Sequence, residues 1–186
     1  MISSVRDGEV EIALKLVVYE VVSVGVSDGY GNTALHYSSY FNRLRLIDFI
    51  LKCNGIDINQ CNTSDAAPLH LASERKHVEA ARRLLDADGY SVEIEATNSN
   101  GWTALHFACF VDVEKVKSAE SGDQKEDEQD RRQRINDMID VDLVRLLVDN
   151  GCNVNAQNSS QKKAFDLLPV DCLSEDKLQT LRGLLN

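Results

Sequence analysis

This 186-residue chain predicts an all-α solenoid, a stack of helix-turn-helix pairs joined by β-turn fingers. Three observations lead there. First, a tetrapeptide recurs in phase as Thr33-Ala34-Leu35-His36, Ala67-Pro68-Leu69-His70 and Thr103-Ala104-Leu105-His106, with 34 residues from His36 to His70 and 36 from His70 to His106. Second, each copy is followed by apolar residues at helical spacing. These are Leu46, Ile47, Phe49, Ile50 and Leu51; then Ala80, Ala81, Leu84 and Leu85; then Leu143, Val144, Leu146, Leu147 and Val148. Third, such runs end in a Gly/Asn turn and a short hydrophobic-polar tail, as in Gly55-Ile56-Asp57-Ile58-Asn59 and Gly151-Cys152-Asn153-Val154-Asn155-Ala156. A fixed period near 34 residues marks an architecture in which each unit buries its apolar face only against its neighbours.

In chain order, residues 1–27 read as a partial N-terminal repeat, because Gly8-Glu9-Val10-Glu11-Ile12-Ala13-Leu14 matches the start of a second helix. The first full repeat covers 28–61. Asp28-x-x-Gly31 supplies a tight turn whose glycine is free to take positive φ, and Thr33 stands where a helix N-cap belongs. In the second repeat, 62–97, Pro68 falls at the first helical position, where its missing N–H is one of the helix's orphans anyway. Asp65 takes the place of the turn glycine, which Asp tolerates better than most residues. Ala67 lacks the capping hydroxyl, so this repeat is expected to be locally weaker.

The third repeat, 98–157, restores Asn98-x-x-Gly101 and Thr103 but is too long. Its tail glycine, Gly151, lies 45 residues after His106, where about 18 is usual for the ankyrin pattern that these copies resemble. The surplus places a charged insertion at about 112–137, between the two helices. It carries Asp123-Gln124-Lys125-Glu126-Asp127-Glu128-Gln129-Asp130 and then Arg131-Arg132-Gln133-Arg134. Hydrophobicity this low does not repay the entropy of ordering, so a mobile loop is expected. Helical extension of both flanking helices is the alternative, since Glu, Lys, Gln and Arg are good helix formers. Residues 158–186 read as a degenerate C-terminal capping repeat. Gln161 replaces the turn glycine, Lys163 the threonine and Asp166 the histidine, and a last helix begins at Ser174 and carries Leu178, Leu181, Leu184 and Leu185. A terminal unit needs a more polar outer face.

These copies resemble the ankyrin repeat, and the resemblance runs from about Ser3 to Leu185. It implies that His36, His70 and His106 are structural, hydrogen-bonding within and between repeats. It also implies a partner protein bound on the concave face, by residues flanking the turn glycine and residues near the end of each first helix. On the fingers those positions include Tyr30, Asn32, Ser64, Asn100 and Trp102; on the helices they are Tyr40, Phe41, Glu74, Arg75 and Phe110. Tyr30, Tyr40, Phe41, Trp102 and Phe110 are five of only eleven aromatic residues in the chain, and aromatic anchors are favoured at protein–protein hot spots. The resemblance further implies a modification site. Asn155 lies eight residues after Leu147 and precedes Ala156, a spacing like that of ankyrin tails hydroxylated on asparagine. An added oxygen atom on the Asn155 peptide, read by mass spectrometry, is the expected result; an unmodified peptide from cells that contain the hydroxylase would remove the assignment.

Composition restricts the remaining classes. A formal net charge of −10 opposes direct binding to nucleic acid or to anionic membranes, both of which need clustered Lys and Arg. No apolar run reaches the roughly 18 residues of a membrane span, and the N-terminus shows no secretory signal. Five cysteines without a C-x-x-C pair and four scattered histidines offer no zinc spacing, and no metal or cofactor is expected. Reduced thiols point to the cytoplasm, with the nucleus as alternative. There is no Gly-x-Ser-x-Gly elbow, no phosphate-binding glycine loop and no His-Glu-x-x-His helix, so catalysis is not expected. The expected function is a non-catalytic protein–protein interaction module, monomeric on its own. The alternative is an adaptor or targeting subunit of a ubiquitin ligase or phosphatase, or a fragment of a larger membrane-skeleton or channel-associated ankyrin protein.

Overall fold

Thr33 begins the first helix by the means its sequence context predicts. Its backbone N–H donates to Nδ1 of His36 (3.1 Å), and the His36 N–H turns back toward the threonine hydroxyl (3.4 Å). The computed structural model describes residues 25–118 and 127–185, so the partial repeat read from 1–27 lies almost wholly outside the described residues. Within them the helices are α1 (Ala34–Tyr40), α2 (Leu44–Ile50), α3 (Pro68–Glu74), α4 (Val78–Leu85), α5 (Ala104–Cys109), α6 (Val113–Ser118), α7 (Glu128–Met138), α8 (Val141–Asp149) and α9 (Glu175–Leu185). Two short 3-10 turns, Phe165–Leu167 and Val170–Cys172, precede α9. The chain is all-α: the extended pairing among the described residues is one isolated bridge between Ser27 and Thr33.

First helices pack on first helices, α1 on α3 and α3 on α5; second helices do the same, α2 on α4 and α4 on α8. Leu35, Leu69 and Leu105 are buried in one continuous core with Leu46, Ile47, Leu84, Leu143, Leu147 and Leu181. Burial of each such side chain contributes about 1.5–3 kcal/mol. α9 closes the stack against α8.

The fingers are built by one Asx residue each. Oδ1 of Asp28 accepts from the N–H groups of Tyr30 and Asn32 (both 2.9 Å). Asn62, Asn98 and Asn158 do the same two and four residues on. At the turn position Gly31 (φ 76°) and Gly101 (φ 71°) alternate with Asp65 (φ 55°) and Gln161 (φ 59°), so the two replacements adopt the left-handed backbone of the residue they replace. Successive fingers then join in a ladder: Thr63 N–H donates to Tyr30 O (3.0 Å), Ser99 N–H to Ser64 O (3.1 Å) and Ser159 N–H to Asn100 O (3.1 Å).

One expectation needs correction. The insertion is not a loop where it is described. α6 and α7 both form within it, while 119–126 lies outside the described residues. α7 is a poor helix by hydrophobicity, but Glu128 bonds Arg131 (2.6 Å) and Arg132 (3.2 Å) at helical spacing. Ile135 and the following Ile139 are fully buried, which anchors its C-terminal end. Lys177 of α9 supplies the missing cap by donating to the carbonyls of Asn136 (2.6 Å) and Ile139 (2.9 Å). The last helix runs Glu175–Leu185 with Ser174 at its cap position, the Ser174 carbonyl accepting from Leu178 N–H at 2.9 Å.

The fourth unit also departs from the others. Only a 3-10 turn follows Ala164, because Pro169 drives Leu168 into extended backbone (ψ 136°). Asp166 nevertheless repeats half of the histidine's work, its Oδ2 accepting from Lys163 N–H at 2.9 Å. A carboxylate accepts but does not donate, so Asp166 has no counterpart of the bond that the histidine Nε2 makes to the next unit.

Candidate functional site

The histidines come first, because all four are engaged with backbone carbonyls. Nδ1 of His36 faces the Thr33 N–H (3.1 Å) and hydroxyl (2.8 Å), so the ring proton sits on Nε2, which donates to the carbonyl of Ala66 across the repeat boundary (3.0 Å). His70 likewise reaches Ala96 O (2.8 Å), and His106 reaches Lys162 O (3.0 Å). Ala67 has no hydroxyl, yet its N–H still donates to His70 Nδ1 (3.0 Å), so only half of that cap is missing. Burial pulls the pKa of all three rings below the usual value, and that of His77, whose Nε2 lies 3.1 Å from Tyr40 O, in the same direction. Burial pushes the thiols of Cys109 and Cys152 up to about 12 and raises those of Cys53 and Cys61. None of these four is a thiolate at neutral pH. Among the described residues no group of three or more His, Cys, Asp or Glu side chains is arranged to hold a metal ion.

What remains is a groove of about 820 Å³ between the finger of the third repeat, the ends of α3 and α5, and α7. Of the residues expected to contact a partner, Glu74, Arg75, Asn100, Trp102 and Phe110 line it together. Trp102 packs against Phe107 and Phe110, with ring centroids 5.0 Å apart in each case. Tyr40 adjoins through Arg75, whose guanidinium lies 4.9 Å over the Tyr40 ring; Phe41 meets Tyr40 edge-on at 5.0 Å and stacks on Tyr37 at 6.4 Å. Tyr30, Asn32 and Ser64 stand apart on the other fingers. Tyr30 is 71% exposed at its tip, whereas Asn32 spends its side-chain oxygen on Asn62 Nδ2 (2.9 Å) and Ser64 its carbonyl on the ladder. Asn155 is exposed, and its Oδ1 accepts from the Lys163 ammonium at 2.8 Å.

Sequence reasoning missed half of the groove. Lys76 stands at a left-handed position (φ 59°) between α3 and α4, and its ammonium donates to the carbonyls of Phe107, Ala108 (3.0 Å) and Phe110 (2.9 Å). It thereby satisfies the orphan carbonyls at the end of α5, and this lets the chain leave the helix early, with Phe110 extended (ψ 136°). Burial lowers the Lys76 ammonium to about 8, so it is still mostly charged at neutral pH. Val116, Arg134, Asp137, Met138 and Asp140 also line the groove. Ile135 and Ile139, four residues apart and both buried, were the signal that α7 docks on the core.

Comparison with known proteins adds the following. A family profile described as "Ankyrin repeats (3 copies)" matches residues 46–118, and one described as "Ankyrin repeat" matches 30–60. The chain is 35% identical over 78 residues to Ankyrin repeat domain-containing protein 13B of Homo sapiens, which is 42% of this chain and 12% of that protein. It is 32% identical over 104 residues to Transient receptor potential cation channel subfamily A member 1 of Homo sapiens, 55% of this chain and 9% of that one. It is 28% identical over 167 residues to Putative ankyrin repeat protein L371 of Acanthamoeba polyphaga mimivirus, 83% of this chain and 21% of that one. The chain therefore spans about a fifth or less of the length of these relatives.

Proposed function

Because this chain belongs to the ankyrin-repeat family, we propose that it is a non-catalytic module that binds another protein through its finger tips and first helices. The observation that carries this is the finger ladder. Backbone bonds from Tyr30 to Thr63, Ser64 to Ser99 and Asn100 to Ser159 hold one face rigid, and the accessible rings of Tyr30, Tyr40, Trp102 and Phe110 sit on that face. Rigid aromatic anchors bind at low entropic cost. Membrane insertion is not part of this reading, and among the described residues no helix is long and apolar enough to cross a membrane. A carboxylate-rich chain of net charge −10 also speaks against direct contact with nucleic acid. The reading includes a cytoplasmic location, a monomeric free state and the repeat boundaries drawn above.

Trp102→Ala together with Tyr30→Ala is expected to abolish capture of the partner from native lysate while leaving the helical circular dichroism unchanged. Undiminished capture by the double variant would remove the reading. The identity of the captured protein separates the finer alternatives: subunits of a ubiquitin ligase or phosphatase would indicate an adaptor role. The relatives include a protein named as a cation channel subunit, so a place in a larger channel-associated chain is the second alternative. Asn155, exposed on the tail of the third repeat, is retained as a modification site within the same proposal.

A further inference from the structure

The groove beside Trp102 is lined by four basic and four acidic side chains, so what sets it apart is how its rings are held rather than the sign of its charge. In the first two repeats the chain closes the end of each first helix with its own backbone. Phe41 N–H donates to Tyr37 O (2.9 Å) and Arg43 N–H to Ser38 O (2.8 Å); Arg75 N–H donates to Leu71 O (3.2 Å) and His77 N–H to Ala72 O (2.9 Å). Asn42 (φ 53°) and Lys76 (φ 59°) take left-handed backbone to make those two turns.

The third repeat lacks this turn. Its corresponding carbonyls are those of Phe107 and Ala108. Among the described residues no backbone N–H reaches Ala108 O, and Phe107 O meets only the N–H of Phe110, at 3.3 Å. The chain departs with Phe110 extended (ψ 136°), on its way to α6 and α7. The ammonium of Lys76, from the repeat before, stands in for the missing backbone donors: it bonds Phe107 O, Ala108 O (3.0 Å) and Phe110 O (2.9 Å). Its charge faces the Cys109 thiol on α5, Glu74 on α3 and Asp140 at the head of α8. Lys76 is costly in two ways, since it holds a side chain in left-handed backbone and takes a charge part-way out of water. Asn42 makes the matching turn in the first repeat while its exposed side chain reaches no neighbour among the described residues. Strain kept beside a binding surface points to a role at that surface.

We propose that Lys76 is a positioning residue for partner binding: by holding the carbonyls at the end of α5 it fixes Phe110 in its extended exit and presents the Trp102–Phe110 ring pair to the partner. This rests on the interaction-module reading and adds the residue that sets its anchor. The two rings meet edge-on, with centroids 5.0 Å apart and planes at 81°, and Phe110 stays 38% exposed. Without the ammonium, three carbonyls at the helix end have to find water or a rewound turn, and either course carries Phe110 off Trp102. A pre-set aromatic pair spares the partner the cost of ordering it.

Trp102 is the single tryptophan of the chain, so its emission in the free, full-length protein reports the ring pair directly. Lys76→Gly removes the ammonium and relieves the left-handed backbone, because glycine takes positive φ without strain. Its far-UV circular dichroism and melting temperature are expected to stay near wild type. Trp102 emission is expected to shift to the red with faster acrylamide quenching, and capture of the partner from native lysate to fall about tenfold or more. Lys76→Met keeps the apolar stem without the donors and is expected to show the same emission change. Asn42→Gly, the same change at the matching turn of the first repeat, is expected to leave emission and capture as in wild type. Wild-type emission and quenching in both Lys76 variants, or an Asn42→Gly variant that behaves like Lys76→Gly, would overturn the proposal. So would a capture loss that merely tracks a fall in melting temperature. A partner lost on Trp102→Ala with Tyr30→Ala yet fully retained by Lys76→Gly would sink this inference and leave the module reading intact; a partner retained by the double variant sinks both.

Discussion

Gly101→Ala is expected to cost about 3 kcal/mol of stability, from strain and crowding of comparable size. Gly101 has φ 71°, and a Cβ there would lie 2.8 Å from the Ser159 nitrogen and 2.9 Å from its Oγ. An L-residue in left-handed backbone costs about 1–2 kcal/mol, and forcing atoms into a packed contact costs about 1–3 kcal/mol more. The crowded atom is the donor of the bond from Ser159 to Asn100 O, so the same methyl also wedges the third finger from the fourth. In a chain of this size the loss lowers the melting temperature by on the order of 10 °C. Gly151→Ala is the control. Gly151 has φ 86° and nothing within 4 Å of a built Cβ, so it feels the backbone cost alone, about 1–2 kcal/mol. Equal melting temperatures for the two variants would show that the fingers are not stacked as described.

Acidification is expected to destabilise the protein between pH 6.5 and 5, before the carboxylates take up many protons. His36, His70 and His106 have pKa values lowered by burial, so in this window the unfolded chain binds more protons than the folded one. Stability from these groups is complete above about 6.5, their unfolded value, and is lost as pH falls toward the lowered folded values. Each group within its window contributes a slope of at most about 1.4 kcal/mol per pH unit. Geometry agrees with that sign. A proton on Nδ1 would confront the N–H of Thr33, Ala67 or Thr103, each of which now donates to that nitrogen at 3.0–3.2 Å. Denaturant unfolding of wild type and His70→Gln at several pH values measures the effect. Glutamine offers an acceptor and a donor without titrating, so the variant is less stable near neutrality but loses less on acidification. Parallel pH profiles for the two proteins would refute the assignment.

The parts of the fold carried by neighbouring residues were legible before any coordinates. Thr33 and Thr103 cap their helices, Pro68 begins one, and Asp65 and Gln161 inherit a glycine's positive φ, because each effect acts across two to four residues. Several expected contact residues, Trp102, Asn100 and Phe110 among them, also fall together in one groove. The other wall was hidden. α7 reads as a polar charge run, and only two buried isoleucines, Ile135 and Ile139, tie its end to the core.

The sequence by itself determined the period, the all-α stack and the caps, since those follow from a pattern repeated in phase; the structural part played by three histidines came from the resemblance to the ankyrin repeat. Tertiary structure alone decided where α7 lies, that Lys76 closes the end of α5 from 31 residues away, and that Lys177 closes the end of α7 from 41 residues away. The physical reason is that a lysine's reach and a helix end's orphan carbonyls are each visible in sequence, but their meeting is not. It depends on how far one repeat is carried past the next by packing, which no local spacing encodes.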